Sequence, residues 1–130
     1  MIRYLETSAA LKLLVDERES GALVAELTTV YPAADLVAAW LLHTELHRAA
    51  RRHPADVDPH AVGVVLDSIA LVDVTRGDLL TAGSLPGRLR SHDAIHLAVA
   101  LRLGADEMVT YDDELADAAR TSGLTVLSPG

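Results

Sequence analysis

The chain contains no cysteine, no phenylalanine, one lysine and one tryptophan. Without cysteine, disulfides, zinc–thiolate sites and thiol catalysis are excluded. With no Phe and aromatics at 3%, the core must be assembled from Leu, Val, Ile and Ala. Such a core suits helices packed on a parallel sheet, whose strands read as short aliphatic runs. No apolar stretch approaches the roughly 18–20 residues of a membrane span, so no membrane partner is expected. Met1-Ile2-Arg3-Tyr4-Leu5 leads directly into what reads as a strand. It lacks the basic region, longer apolar region and small-residue cleavage site of a secretory signal, so the expected compartment is the cytoplasm.

What is present fits a single domain over residues 1–130, with half of the residues apolar. The net charge of −8 opposes a broad nucleic-acid-binding surface. It says little about one cleft, however. The basic residues are arginines apart from Lys12. Arginine favours bidentate pairing with phosphate or carboxylate, although a GC-rich genome explains the bias more simply.

Punctuation along the chain is regular. Strands are expected over Ile2–Leu5, Asp35–Ala39, Ile69–Val74, Glu107–Tyr111 and Leu124–Leu127. Helices are expected over Ser8–Glu17, Ser20–Tyr31, Trp40–Arg52, Pro59–Ser68, Gly77–Gly83, Ser91–Leu103 and Asp112–Thr121. Thr7 or Ser8 is placed to cap the first helix, Pro59 suits a first turn, and Gly104 and Ser122-Gly123 suit helix ends. Leu85–Arg90 reads as a loop. Strands alternating with helices of this length indicate βα units and a parallel sheet. In open sheets of that kind, sites form beyond the carboxyl ends of the strands.

Four carboxylates stand out on that rule. Glu6 directly follows the first strand. Glu45 shares a helix face with Leu41, Leu42 and Ala49, so its carboxylate projects from the apolar side and needs a partner or a metal. Asp93 opens a helix that is apolar nearly all round, Asp93–Leu101, which should be central and buried. Asp112 ends one strand and begins the next helix. Each has an ordinary explanation: a surface acid, a salt bridge, a dipole-stabilised first-turn charge and an N-cap. Together they argue for more, because carboxylates gathered at one sheet edge raise each other's pKa and a divalent cation relieves the repulsion. All-oxygen ligation selects a hard ion, Mg2+ or Mn2+.

Tyr4-Leu5-Glu6-Thr7-Ser8-Ala9 resembles the opening motif of PIN-domain proteins, a strand followed by Asp-Thr-Ser. Thr44-Glu45-Leu46 is similar to their internal Glu. Ser91-His92-Asp93-Ala94-Ile95-His96-Leu97-Ala98 and Val109-Thr110-Tyr111-Asp112-Asp113-Glu114-Leu115 are similar to the segments bearing the third and fourth acids. The resemblance spans nearly the whole chain and is strongest to VapC-type toxins. It implies a PIN-like α/β/α sandwich with a central parallel sheet. It also implies a metal site formed by Glu6, Glu45, Asp93 and Asp112, hydrolysis of RNA phosphodiester bonds, a VapB-like antitoxin partner and a homodimer. Ser8 or Thr7 would hydrogen-bond a ligand or a water on the metal. One departure stands out: Glu6 occupies a position that is Asp in the family. The extra methylene displaces the carboxylate, and near-octahedral Mg2+ tolerates little displacement. The alternative is a catalytically impaired PIN domain that binds antitoxin or RNA without efficient cleavage.

Other residues have plainer roles open to them. His43 and His47 lie about 200° round the helix from Glu45, so they read as exposed histidines rather than ligands of its metal. His96 reads as a packing or hydrogen-bonding residue, and Asp16-Glu17-Arg18-Glu19 as a solvated helix end. Arg48, Arg51 and Arg52 follow Glu45, while Arg88 and Arg90 precede Asp93. Either group is placed to meet RNA phosphates or simply to serve solubility. Leu11, Leu14, Leu23 and Leu27 read mostly as core, with a minority able to line a groove for an antitoxin helix. A phospho-acceptor receiver domain, the competing acidic α/β class, needs a lysine late in the chain, and the only lysine here is Lys12.

Overall fold

The computed structural model describes residues 1–28 and 35–130. Five strands, β1 (Ile2–Leu5), β2 (Asp35–Ala39), β3 (Ala70–Val72), β4 (Glu107–Val109) and β5 (Thr125–Leu127), form one sheet. Its order is β3-β2-β1-β4-β5 and every pairing is parallel. Among the described residues seven helices flank it: α1 (Thr7–Lys12), α2 (Ser20–Thr28), α3 (Leu41–Arg52), α4 (Pro59–Asp67), α5 (Arg76–Ser84), α6 (Ser91–Arg102) and α7 (Asp113–Thr121). The expected parallel sheet flanked by helices is therefore present. With every strand parallel, all five carboxyl ends lie at one edge.

The core is aliphatic, as the composition requires. Tyr4 and Leu5 of β1, Ala38 and Ala39 of β2, Met108 and Val109 of β4, Leu42 and Leu46 of α3, and Val99 and Ala100 of α6 are fully buried. Helix α6 is the most enclosed, with Asp93, Ala94 and His96 to Ala100 all buried. Both α6 and α7 stop in the same way. Gly104 (φ +65°) donates its N–H to Leu101 O, and Ala105 donates to Ala100 O. Gly123 (φ +97°) donates to Arg120 O, and Leu124 donates to Ala119 O. This is the Schellman closure, which needs a left-handed residue and so favours glycine. Each turns the chain directly into the next strand.

Several expected boundaries shift. The first helix ends at Lys12 rather than Glu17 because the hydroxyl of Ser20 donates to Lys12 O and Val15 O and satisfies the freed carbonyls. Its cap is Glu6, not Thr7 or Ser8: the Glu6 carboxylate accepts from Ser8 N. The strands expected over Ile69–Val74 and Glu107–Tyr111 are limited to Ala70–Val72 and Glu107–Val109. The expected end of the second helix at Tyr31 lies outside the described residues. Asp16–Glu19 is not simply solvated either, because Lys12 Nζ pairs with Glu17 at 2.6 Å and Glu19 at 2.9 Å. Of the four leucines suited to core or groove, Leu23 is fully buried, and Leu11, Leu14 and Leu27 pack partly buried against the core.

Candidate active site

The sheet order defines the site. From β1 the chain winds outward through β2 and β3, then crosses to the other side of β1 to lay down β4 and β5. The reversal opens a crevice between β1 and β4 at their carboxyl ends, where ligands bind in open α/β sheets. Glu6 leaves β1 there, and Thr110 to Asp112 leave β4 beside it, with Glu6 N donating to Val109 O at 3.1 Å. The N-terminus of α6 supplies Asp93.

Glu6 is 3% exposed and its carboxylate is held by donors of this chain. Ser8 N donates to both oxygens at 3.0 Å, Ser8 Oγ to Oε2 at 2.6 Å and Thr110 Oγ1 to Oε2 at 2.8 Å. The two hydroxyls are themselves fixed. Ser8 Oγ accepts from Tyr111 N, and Thr110 Oγ1 accepts from Asp112 N. Asp112 caps α7, accepting from Leu115 N at 2.9 Å. One hydrogen-bonded lattice thus ties the exit of β1 to the exit of β4.

Asp93 is 5% exposed. Burial pushes its carboxyl up to about 6, the charges of Asp112 and Glu6 push in the same direction, and His92 and His96 oppose them. Of the three acids expected beside it, Asp112 and Glu6 act on Asp93 electrostatically and Glu45 is not among its main influences. His92 Nε2 lies 3.4 Å from Asp93 Oδ1.

Glu45 stands on the flank of α3. The buried face is Leu42, Leu46 and Ala50; Leu41 and Ala49 are only partly buried beside the carboxylate. It is therefore half-buried rather than central to the apolar side. Its Oε1 receives Thr7 Oγ1 at 2.8 Å and lies 2.6 Å from His96 Nε2. Burial pushes this carboxyl up, but the hydrogen bonds from His96 and Thr7 outweigh it and the net shift is downward. Behind it, His96 Nδ1 lies 2.6 Å from the hydroxyl of Tyr4, which accepts from Ala39 N at 3.1 Å. A tyrosine hydroxyl has a single proton. The consistent assignment gives it to His96 Nδ1, leaving Nε2–H to donate to Glu45. Burial raises the pKa of Tyr4 strongly, so the hydroxyl keeps its proton.

Tyr4 and Thr110 were not singled out from the sequence. The signal was available for Tyr4: it lies on β1 two residues before Glu6, which leaves the strand, while Asp93 and His96 are three apart on one helix and share a face. The two segments meet in register, Tyr4 on His96 and Glu6 near Asp93. Thr110 gave no such signal, because its role depends on the pairing of β1 with β4.

The donor set suits a hard divalent cation. The four acids would offer oxygen alone, and burial disfavours ionisation of Asp93. In this conformation, no three His, Asp or Glu side chains among the described residues are grouped to hold a metal. Glu6 and Glu45 direct oxygens to Ser8, Thr110, Thr7 and His96 instead. Arg48, Arg88 and Arg90 are all exposed. Arg88 also lines an apolar groove of about 390 Å³ with Leu85, Leu89 and Leu97, and none of the four acids lines it.

Residues 3–121 match the family model described as PIN domain. The chain belongs to the PIN-domain family. It is of the VapC type: it is 41% identical over 132 residues to Ribonuclease VapC46 of Mycobacterium tuberculosis, covering 97% of this chain and 96% of that one. The fold is similar to VapBC2 from Rickettsia felis, in a crystal structure bound to a DNA fragment from their promoter (TM-score 0.75, 13% identity, 100% of both chains). It is also similar to Mycobacterium tuberculosis VapC20, described as a Sarcin-Ricin loop cleaving toxin (TM-score 0.72, 14% identity, 98% of this chain and 99% of that one). No helix among the described residues is long and apolar enough to cross a membrane.

Proposed function

We propose that this VapC-type PIN domain is a divalent-metal-dependent endoribonuclease, the toxin of a toxin–antitoxin pair acting in the cytoplasm. The observation that carries the reading is buried Asp93, with Glu6 and Asp112 within electrostatic reach at the β1–β4 crevice. The likeness to a protein named Ribonuclease VapC46 across nearly the full length supports the substrate class. Glu6, Glu45, Asp93 and Asp112 would hold Mg2+ or Mn2+. When bound, such an ion polarises a phosphodiester and activates water. The chain's own residues orient the acids. Ser8 and Thr110 brace Glu6, and Thr7 and His96 brace Glu45. Arg48, Arg88 and Arg90 would meet RNA phosphates. A VapB-like antitoxin and a homodimer complete the expected assembly, by similarity to the VapBC2 structure for the antitoxin.

RNA cleavage with and without Mg2+, comparing the natural chain with Asp93→Asn, tests this. Metal-dependent cleavage lost in the Asn variant is expected; cleavage that ignores both metal and substitution would remove the acidic site from the reaction. A second reading has one observation in its favour. Both Glu6 oxygens are already committed to donors of this chain, which suits an impaired nuclease that binds RNA or antitoxin and cuts slowly.

A further inference from the structure

Trp40 is the only tryptophan, and it is 47% exposed in a chain where large aromatic side chains are scarce. It directly follows β2, which pairs with β1, so it stands at the same carboxyl edge as Glu6. Neighbouring strands are about 4.8 Å apart. The position is therefore one strand removed from the acidic crevice.

Trp40 also begins a ring ladder. Its centroid lies 5.4 Å from that of His43, which lies 4.2 Å from that of His47. His47 Nδ1 lies 2.8 Å from His43 O, which fixes the second ring over the first. Residues 40, 43, 47 and 51 are spaced by three, four and four, so Arg51 continues the same face. From Trp40 to Arg51 that face runs about 16 Å. Glu45, the only acid on α3, is committed to Thr7 and His96 on another side. The exposed charges of this helix are thus Arg48, Arg51 and Arg52, in a chain whose net charge is −8. Beside the ladder a groove of about 470 Å³ runs between α3 and α4, lined by Trp40, His43, His47, Gly63, Leu66 and Leu71 among others. A Cβ on Gly63 would meet nothing within 4 Å, so the space is open there. Asp67 is the one acid lining this groove and would turn phosphates toward the arginines.

We propose that this face of α3, Trp40-His43-His47-Arg51, is a base-stacking track for single-stranded RNA whose Trp40 end stands at the sheet edge that carries the crevice. The inference rests on the ribonuclease reading above. A run of rings with cations at its end and beside it, here Arg51 after the rings and Arg48 and Arg52 next to them, offers what a single strand requires. Every base offers a π-face to the rings, and the backbone offers a charge to each arginine, with little dependence on sequence. The face therefore supplies affinity and strand direction, while the acids supply chemistry.

Because Trp40 is the sole tryptophan, its fluorescence reports this one place. The full-length Asp93→Asn chain, which should not consume the RNA, is titrated with a short mixed-sequence single-stranded RNA and with the same backbone lacking bases. Saturable quenching by the first and not by the second is expected. Trp40→Ala should weaken RNA binding about tenfold and Trp40→Phe much less, with thermal midpoints confirming that both fold. In the chain with Asp93 intact, the Trp40→Ala loss should fall on KM. Arg51→Ala should lower the salt dependence by about one phosphate contact. If RNA is bound and cut with no quenching and unchanged affinity in Trp40→Ala, the track is wrong and the ribonuclease reading survives. Unchanged RNA affinity with an altered oligomeric state of Trp40→Ala would assign the face to a protein contact instead. Failure of every form to bind or cut RNA would overturn both readings.

Discussion

Tyr4 and His96, 92 residues apart in sequence, meet edge-on in the core, with the tyrosine hydroxyl 2.6 Å from His96 Nδ1. The contact turns the other ring nitrogen, Nε2, onto Glu45 at 2.6 Å. A strand residue far from solvent thereby sets the direction of the Glu45 carboxylate. Carboxylates and imidazoles behind a metal site act in this way, by orienting the groups in front of them.

His96→Gln keeps an amide donor near the position of Nε2, whereas His96→Leu removes it. Calorimetric titration with Mn2+ should show the Gln variant within a few-fold of the natural chain. The Leu variant should bind about ten- to a hundredfold more weakly. Equal affinities would mean that His96 only fills space. Tyr4→Phe leaves Ala39 N without its acceptor and should cost roughly 1–3 kcal/mol in urea unfolding.

Asp93 makes stability depend on pH in the metal-free protein. Its carboxyl is raised from 3.8 to about 6 by burial first and by the neighbouring acids after that. The folded state therefore holds a proton that the unfolded state gives up. Stability tied to Asp93 is full below pH 3.8 and is lost as the pH rises through about 6. The loss is on the order of 3 kcal/mol. Urea midpoints in a chelator from pH 4 to 8, measured on the natural chain and on Asp93→Asn, should converge in acid and diverge in favour of Asn near neutrality. Parallel curves would show that Asp93 ionises without penalty.

Local features of this fold were legible in the sequence. The ends of α6 and α7 were marked by Gly104 and Gly123, the start of α7 by Asp112, and the burial of α6 by its lack of a polar face. Glu6 at the exit of β1, Asp93 in the first turn of α6 and Asp112 at the start of α7 stand at the element ends that the sequence marked, whereas Glu45 lies on the flank of α3. What was hidden depends on pairings between distant segments. The cap on α1 looked like Thr7 or Ser8 because those residues suit that role locally. Glu6 takes it because Thr110, from the far end of the chain, holds its carboxylate in place. The early end of α1 has a local cause instead: Ser20, eight residues on, turns its hydroxyl back onto the carbonyls of Lys12 and Val15.

Glu6→Asp should increase Mg2+-supported RNA cleavage, on the order of a hundredfold, because the shorter side chain restores the family placement of the carboxylate. The gain should be smaller with Mn2+. Stability should fall modestly, since Asp is itself a good N-cap but its shorter side chain draws the carboxylate back from the Thr110 hydroxyl. Single-turnover cleavage by equal concentrations of folded protein measures it. Equal rates would show that the longer side chain does not limit the reaction.

Asp78 anchors α5 to α6 away from the crevice. It is buried and receives Arg102 Nε at 2.8 Å, and its side chain closes a capping box with Thr75. The Arg102 hydrogen bond holds its carboxyl below the usual range against the effect of burial. Its stabilisation is therefore present above about pH 4 and lost as the pH falls below that. Arg102 is half exposed, which weakens the pair through solvent screening. Asp78→Ala should cost roughly 1–3 kcal/mol at neutral pH, counting the lost cap, and less in acid. Thermal melts at pH 7 and pH 3 check both the size and the sign.

The hydroxyl of Thr110 reaches the Glu6 carboxylate across 104 positions of sequence. A ribosome making this protein releases β1 and α1 long before β4 exists. Until β4 docks, Glu6 has no Thr110, and Asp112 has not been synthesised. The crevice is thus assembled by the last third of translation, and a nascent chain stalled before β4 carries only half of its walls. Synthesis itself becomes a timer: a message cut or a ribosome halted upstream of that point yields a fragment with the first acids but without the edge that completes the crevice.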